Sequence, residues 1–132
     1  MVILNILRLF AHILLICFFS FSLKAQQAKI GPHGGVLKIS SNYKVEMVAC
    51  SENFEIYIFD TFMNPVLNSN ISGSVIYRYK DKPDKAEKLY HWGIEGFSLK
   101  GDDNFTNCTL TVYTSEAPLS VNFENNFNCV SY

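Results

Sequence analysis

Histidine is the side chain in this sequence best suited to chemistry, and His33 lies in the most suggestive surroundings. It occurs in the run Pro32-His33-Gly34-Gly35. Two glycines after a histidine free the backbone, so that other groups approach the imidazole closely. Neutral imidazole is the commonest protein ligand for zinc and copper. The run therefore makes His33 a candidate metal ligand; the alternative is a surface turn in which the histidine is incidental.

Glu46 is a second candidate ligand, because it lies within an alternating strand pattern. Tyr43, Val45 and Met47 occupy one face of that strand, so Glu46 points away from them. If a strand that starts at Val36 pairs beside it, His33 and Glu46 converge near one edge. A histidine and a carboxylate suit a divalent cation, although a structural zinc site uses about four ligands.

His91 is the third candidate, and it lies between Tyr90 and Trp92. A histidine flanked by aromatic residues more often packs at a strand end than binds a metal. The sequence contains no G-x-S-x-G elbow and no H-E-x-x-H helix motif. We therefore expect no catalytic residues and no enzymatic activity.

Three cysteines, Cys50, Cys108 and Cys129, follow the N-terminal segment. An exported protein can form a disulfide, and an odd count leaves one thiol over. If strand 119–123 forms a hairpin with the strand that begins at Cys108, Cys108 lies opposite roughly Asn125, and Cys129 lies beyond the strand end. We therefore predict a disulfide between Cys50 and Cys108, with thiolate binding of a metal as the alternative.

The N-terminus has the layout of a secretory signal. Arg8 supplies a positive charge, an apolar run covers Ile13–Phe19, and Ala25 provides a small residue for cleavage. The alternative is an uncleaved membrane anchor, but the run is shorter than the ~20 residues that span a bilayer. We predict a signal peptide at 1–25 and one periplasmic or secreted domain at 26–132. Membrane contact is then confined to the signal segment before cleavage.

Charge excludes one class of partner. The chain has 11 basic and 12 acidic residues, a formal net charge of −1. No cluster of lysine and arginine is dense enough for a nucleic-acid surface. The basic stretch Arg78–Lys88 is interleaved with acidic residues, which predicts a solvated loop.

Short alternating segments rich in β-branched and aromatic residues cover most of residues 36–123, with turn residues between them. About seven strands at this spacing predict an all-β fold. We expect a small antiparallel, immunoglobulin-like β-sandwich, with a small β-barrel as the alternative.

Three runs of this domain form a recognisable series: His33–Val36 (HGGV), Tyr43–Val48 (YKVEMV) and Phe54–Asp60 (FEIYIFD). The series resembles small periplasmic proteins of Bacteroidetes-type bacteria, which carry an H-G-G, Y-x-I-E-x-V, L-x-I-Y-x-x-D progression. A fourth run, Ile71–Val75, looks like the next strand of that group.

The resemblance implies a role in heavy-metal efflux and resistance. It implies copper or zinc as the ion, His33 and Glu46 as ligands, and components of an efflux pump as partners. The resulting hypothesis is a non-enzymatic periplasmic metal-binding protein, to which His91 contributes as a further ligand. The alternative is a metal-free module that docks on an envelope protein complex.

Overall fold

The computed structural model describes residues 1–20, 29–50, 52–102 and 104–127, without the side chains of residues 14–20. The predicted cleavage site after Ala25 and the cysteine at position 129 lie outside these ranges. In the described part of the chain, one helix precedes ten strands. Their bounds are α1 Val2–Ser20, β1 Lys29–Ile30, β2 Val36–Ser40, β3 Tyr43–Cys50, β4 Asn53–Asp60, β5 Ser72–Arg78, β6 Lys85–Lys88, β7 Tyr90–Trp92, β8 Gly96–Lys100, β9 Asn107–Tyr113 and β10 Leu119–Glu124. Within the described ranges, no helix has both the length and the apolar character needed to cross a bilayer.

The strands form two open antiparallel sheets. The six-stranded sheet has the order β1-β2-β3-β4-β8-β7, and the four-stranded sheet has the order β10-β9-β5-β6. The all-β sandwich predicted from the sequence is confirmed. The barrel alternative is wrong, because each sheet ends in two edge strands rather than closing on itself.

The core lies between the two sheets and follows the period of two. Val45 of β3 and Ile56 of β4 point inward from the larger sheet. Val75 of β5, Leu110 of β9 and Val121 of β10 point inward from the smaller one. Successive strand side chains point to opposite faces, so each of these strands contributes every second residue to the core between the sheets. The predicted alternation in these segments is therefore confirmed.

Three short strands, β1, β6 and β7, account for the difference between ten observed strands and the expected seven. Side chains in all three are mostly exposed, so no apolar alternation marks them in the sequence. The predicted solvated loop over Arg78–Lys88 is wrong in part. Lys85–Lys88 pair with β5 as an edge strand, where polar side chains face water.

The last hairpin has a register two residues from the expected one. Cys108 lies opposite Phe123, not Asn125. Cys108 is fully buried in the core, whereas Cys50 ends β3 and shares the parity of Glu46, which faces away from the core. The structure forms no bond between Cys50 and Cys108. Their disulfide stays a prediction that this geometry does not support.

The outer face of the six-stranded sheet carries a second, smaller buried layer. Glu46, Val48 and Phe59 have the parity that points away from the core, yet each is at most 3% exposed. Gly35 lies directly over Val48, because a Cβ on that glycine would approach Val48 Cγ2 to 2.7 Å. The segment 31–35, called the histidine loop below, thus folds back over β3.

Candidate functional site

The histidine loop is a tight turn between β1 and β2. The Gly31 amide donates to the Gly35 carbonyl at 2.9 Å, and the Gly34 amide donates to the Gly31 carbonyl at 3.0 Å. Gly34 has a φ of 80°, a left-handed conformation that glycine adopts without steric cost. The glycines that follow His33 therefore close the turn and place the imidazole over the sheet.

Glu46 lies beneath this loop and is completely buried. Its Oε1 accepts hydrogen bonds from the His33 amide at 2.8 Å and from the Gly35 amide at 2.9 Å. Its Oε2 is 2.8 Å from His33 Nδ1. A buried carboxylate is costly unless it is hydrogen-bonded, and these three bonds satisfy both of its oxygens.

Gly31 makes this burial possible. A Cβ at position 31 would lie 2.3 Å from Glu46 Cδ and 2.5 Å from Glu46 Oε1. Any larger residue would therefore have to lift the loop or displace the carboxylate. The loop glycines are consequently part of the site as much as the histidine is.

The His33 imidazole is held from below by an aromatic ring. It stacks on Tyr57 with a centroid distance of 3.7 Å and an interplanar angle of 8°. Tyr57 lies in turn on Gly96, where a Cβ would approach Tyr57 Cε1 to 2.9 Å. Phe59 lies beside the histidine, with a centroid distance of 6.2 Å. The His33 side chain is 39% exposed, so a fixed imidazole remains accessible from solvent.

Tyr57 is kept in its neutral form. Burial raises its pKa, and so do the hydrogen bond that its hydroxyl donates to Glu55 Oε2 at 2.7 Å and the negative charge of Glu55. A neutral phenol ring presents an electron-rich face. That face stabilises positive charge on a group stacked against it, and the group stacked here is the His33 imidazole.

The chemistry of the pair follows from the tautomer that Glu46 favours. A carboxylate that faces Nδ1 favours a proton on that nitrogen, which makes Nε2 the ring atom with the electron pair. Metal-binding histidines commonly have this arrangement, in which the second ring nitrogen donates to a carboxylate. Both Glu46 oxygens are engaged by the histidine loop, so the carboxylate holds and orients His33. Its role as a metal ligand stays a prediction.

The structure thus brings together two of the three predicted ligands, and His91 lies elsewhere. The ring of His91 in β7 packs edge-to-face on Phe97 at 5.5 Å, with Nε2 2.9 Å from the Ile71 carbonyl. This is the packing role expected of an aromatic-flanked histidine. Across the described ranges, no group of three or more histidine, cysteine, aspartate or glutamate side chains could hold a metal ion.

Sequence reasoning missed Tyr57 and Gly31 as parts of the site. One signal for Tyr57 is in the sequence: Glu55, Tyr57 and Phe59 occupy the face of β4 opposite the core, where two aromatic residues are unusual unless something covers them. Nothing comparable marks Gly31, because its role depends on where the loop folds.

Comparison with protein-family models, with curated proteins and with solved structures finds no match to this chain.

Proposed function

We propose that this is an exported, non-enzymatic protein that binds a copper or zinc ion through His33 and takes part in metal efflux or homeostasis. The observation that carries the proposal is the 2.8 Å contact between His33 Nδ1 and the buried Glu46 carboxylate. It orients an accessible imidazole in the way that supporting carboxylates orient metal ligands. The resemblance of the H-G-G and Y-K-V-E runs to periplasmic metal-resistance proteins points in the same direction.

The nature of the donor selects the ion. Imidazole suits zinc and copper, and divalent copper binds nitrogen sites more tightly than other first-row ions. The Tyr57 ring favours the positive charge that the bound ion places on the imidazole. One histidine is a minimal site, so the ion would share its coordination with water or with donors of a partner. Such an ion exchanges readily, which suits a protein that passes metal to an efflux pump.

The test is calorimetric titration of the processed protein (residues 26–132) with Zn(II), with Cu(II), and with Cu(I) under reduction. We expect saturable binding near one equivalent. His33→Asn should abolish it, because the asparagine amide still donates to Glu46 but the Nε2 position is lost. His33→Ala would instead leave a buried oxygen of Glu46 without its partner and destabilise the fold. A loss of metal affinity in that variant could then reflect a loss of stability.

His91→Asn is the matched control and should bind as the wild type does. The proposal fails if the folded wild type binds none of the three ions. It fails equally if His33→Asn binds as tightly as the wild type.

A metal-free docking module is the second candidate, and one observation favours it. Strand β7 is an edge of the six-stranded sheet, and its Tyr90 and Trp92 side chains are 63% and 57% exposed. An open edge beside exposed aromatic side chains suits addition of a partner strand. Trp92→Ala would then weaken capture of the envelope partner, and His33→Asn would not.

A further inference from the structure

A cavity lies where the chain passes from one sheet to the other. Strand β6 belongs to the four-stranded sheet and β7 to the six-stranded sheet, with Leu89 between them. The cavity has a volume of about 500 Å³ and is lined by segments 69–72 and 88–91. None of its lining residues belongs to the histidine loop or to β3. It is therefore separate from the candidate metal site.

The strand side of the cavity is fixed by hydrogen bonds to β5 and to the residue before it. The Leu89 amide donates to the Gly73 carbonyl at 3.0 Å. The His91 ring, two residues on, contacts the Ile71 carbonyl through Nε2 at 2.9 Å. Because Leu89 is 4% exposed and Ile71 is 8% exposed, these two side chains form a buried apolar base.

The loop side is fixed by Asn68, a buried polar residue just outside the lining. Its side-chain amide donates to the Gly96 carbonyl at 2.7 Å and to the Gly93 carbonyl at 3.1 Å. The backbone carbonyl of Asn68 accepts a hydrogen bond from the Ile71 amide at 3.1 Å. The segment that carries the lining residues is thus tied to the β7–β8 hairpin before any ligand binds.

The formal charge of the lining is the positive charge of Lys88. The other polar residues of the lining are Ser69, Asn70, Ser72, Tyr90 and His91. Among the residues that the structure describes, no aspartate or glutamate lines the cavity. Lys88 pairs with Ser74, so it lies on the outer face of the four-stranded sheet together with Ser72.

We propose that this cavity binds a hexose-sized sugar that carries an acid group. Its volume is within the range of ordinary small-molecule sites, ~300–1,000 Å³. The Lys88 ammonium binds the carboxylate or phosphate, and the serine hydroxyls and the asparagine amide bind ring hydroxyls.

The test is titration of ¹⁵N-labelled protein, purified after export, followed through amide chemical shifts. The probes are D-glucuronate, glucose 6-phosphate, neutral glucose and inorganic phosphate. We expect saturable shifts at segments 69–72 and 88–91 with one or both sugar acids. Glucose, which lacks the charge, should bind about tenfold more weakly.

Lys88→Gln should weaken binding of the sugar acid about tenfold. The matched control is Lys85→Gln on the same strand. Lys85 pairs with the buried Tyr77, so it belongs to the opposite face of β6. Its ion pair with Glu87 is half-exposed and of little energetic weight.

Binding by Lys85→Gln should equal that of the wild type. The proposal is overturned if neither sugar acid shifts the lining amides, or if Lys88→Gln binds as the wild type does. It is also overturned if inorganic phosphate binds as tightly as the sugars.

Discussion

Glu46 shows how one buried side chain sets the chemistry of another. Its burial beneath the histidine loop would be unfavourable without the two amides and the imidazole that contact it. Those same contacts hold the loop against the sheet and orient His33. Truncation of the Glu46 side chain would therefore remove the support of the loop and of the imidazole together.

Glu46→Gln separates these two roles. The glutamine Oε1 can still accept from the His33 and Gly35 amides, so the loop should stay in place. Its amide group donates to His33 Nδ1, which forces the ring proton onto Nε2, the atom that would bind the ion. We expect metal affinity to fall at least about tenfold with a change in unfolding free energy of only about 1 kcal/mol. Calorimetric titration and urea unfolding measure the two quantities.

Glu55→Gln is the control for Glu46→Gln. Glu55 accepts the Tyr57 hydroxyl on the same sheet face, whereas the amides of His33 and Gly35 in the loop donate to Glu46. Its amide variant should keep the affinity of the wild type. Unchanged affinity in Glu46→Gln would contradict the supporting role assigned to that carboxylate.

At the scale of elements, apolar alternation identified the strands that build the core. Strands β3 and β4 each bury every second residue against the opposite sheet, so their pattern is visible in the sequence. The edge strand β6 has exposed lysines instead, and its pairing with β5 is decided by backbone hydrogen bonds that no side-chain pattern reports. This is why Lys85–Lys88 resembled a solvated loop.

The candidate metal site, like the set of strands, was predictable from the sequence in part. Parity placed Glu46 on the outer face of β3, and pairing of β2 with β3 brought His33 near it, both as the structure has them. The complete burial of Glu46 was not predictable, because it depends on the histidine loop folding back over the sheet. The stacking of His33 on Tyr57 depends on the same fold-back.

Asn68 fixes the connection between β4 and β5. Asn68→Ala removes the donor to two backbone carbonyls, and the one at Gly96 is buried. We expect a loss of about 2–4 kcal/mol in unfolding free energy. Asn70→Ala, in the same connection but exposed, should stay within about 0.5 kcal/mol. Urea unfolding compares them, and equal stability of the two variants would show that the connection is held by other contacts.

The whole molecule places both proposed sites on a rigid two-sheet framework. The histidine loop rests on strands β3 and β4, whose other face packs in the core. The cavity opens at the crossover between the sheets, a different part of the sandwich. Sites on such a framework keep their geometry without a ligand, so a ligand binds without a rearrangement of the protein. Each site can therefore be tested without disturbing the other.

The two sheets also decide the state of Cys108. This thiol is completely buried in the core, and burial raises its pKa to about 11. A raised pKa leaves little thiolate at pH 8, and the thiolate is the reactive form. We expect iodoacetamide at pH 8 to leave Cys108 unmodified in the folded protein and to modify it once guanidinium unfolds the chain without reductant. Trypsin cleaves after lysine and arginine, and neither follows Lys100, so Cys108 and Cys129 share the peptide 101–132. Mass spectrometry must therefore localise the label by fragmentation of that peptide.

The same experiment decides the disulfide predicted between Cys50 and Cys108. A buried thiol and a disulfide both resist iodoacetamide in the folded protein, so only the unfolded sample distinguishes them. If Cys108 stays unmodified in guanidinium until reductant is added, it is oxidised, and the two sheets are joined covalently or Cys108 has another partner. If it is modified at once, packing alone holds the sheets together at that position. The two side chains point in different directions, which favours modification of Cys108 without reductant. A bond between them would require Cys50 in β3 or Cys108 in β9 to move its side chain to the opposite face of its sheet.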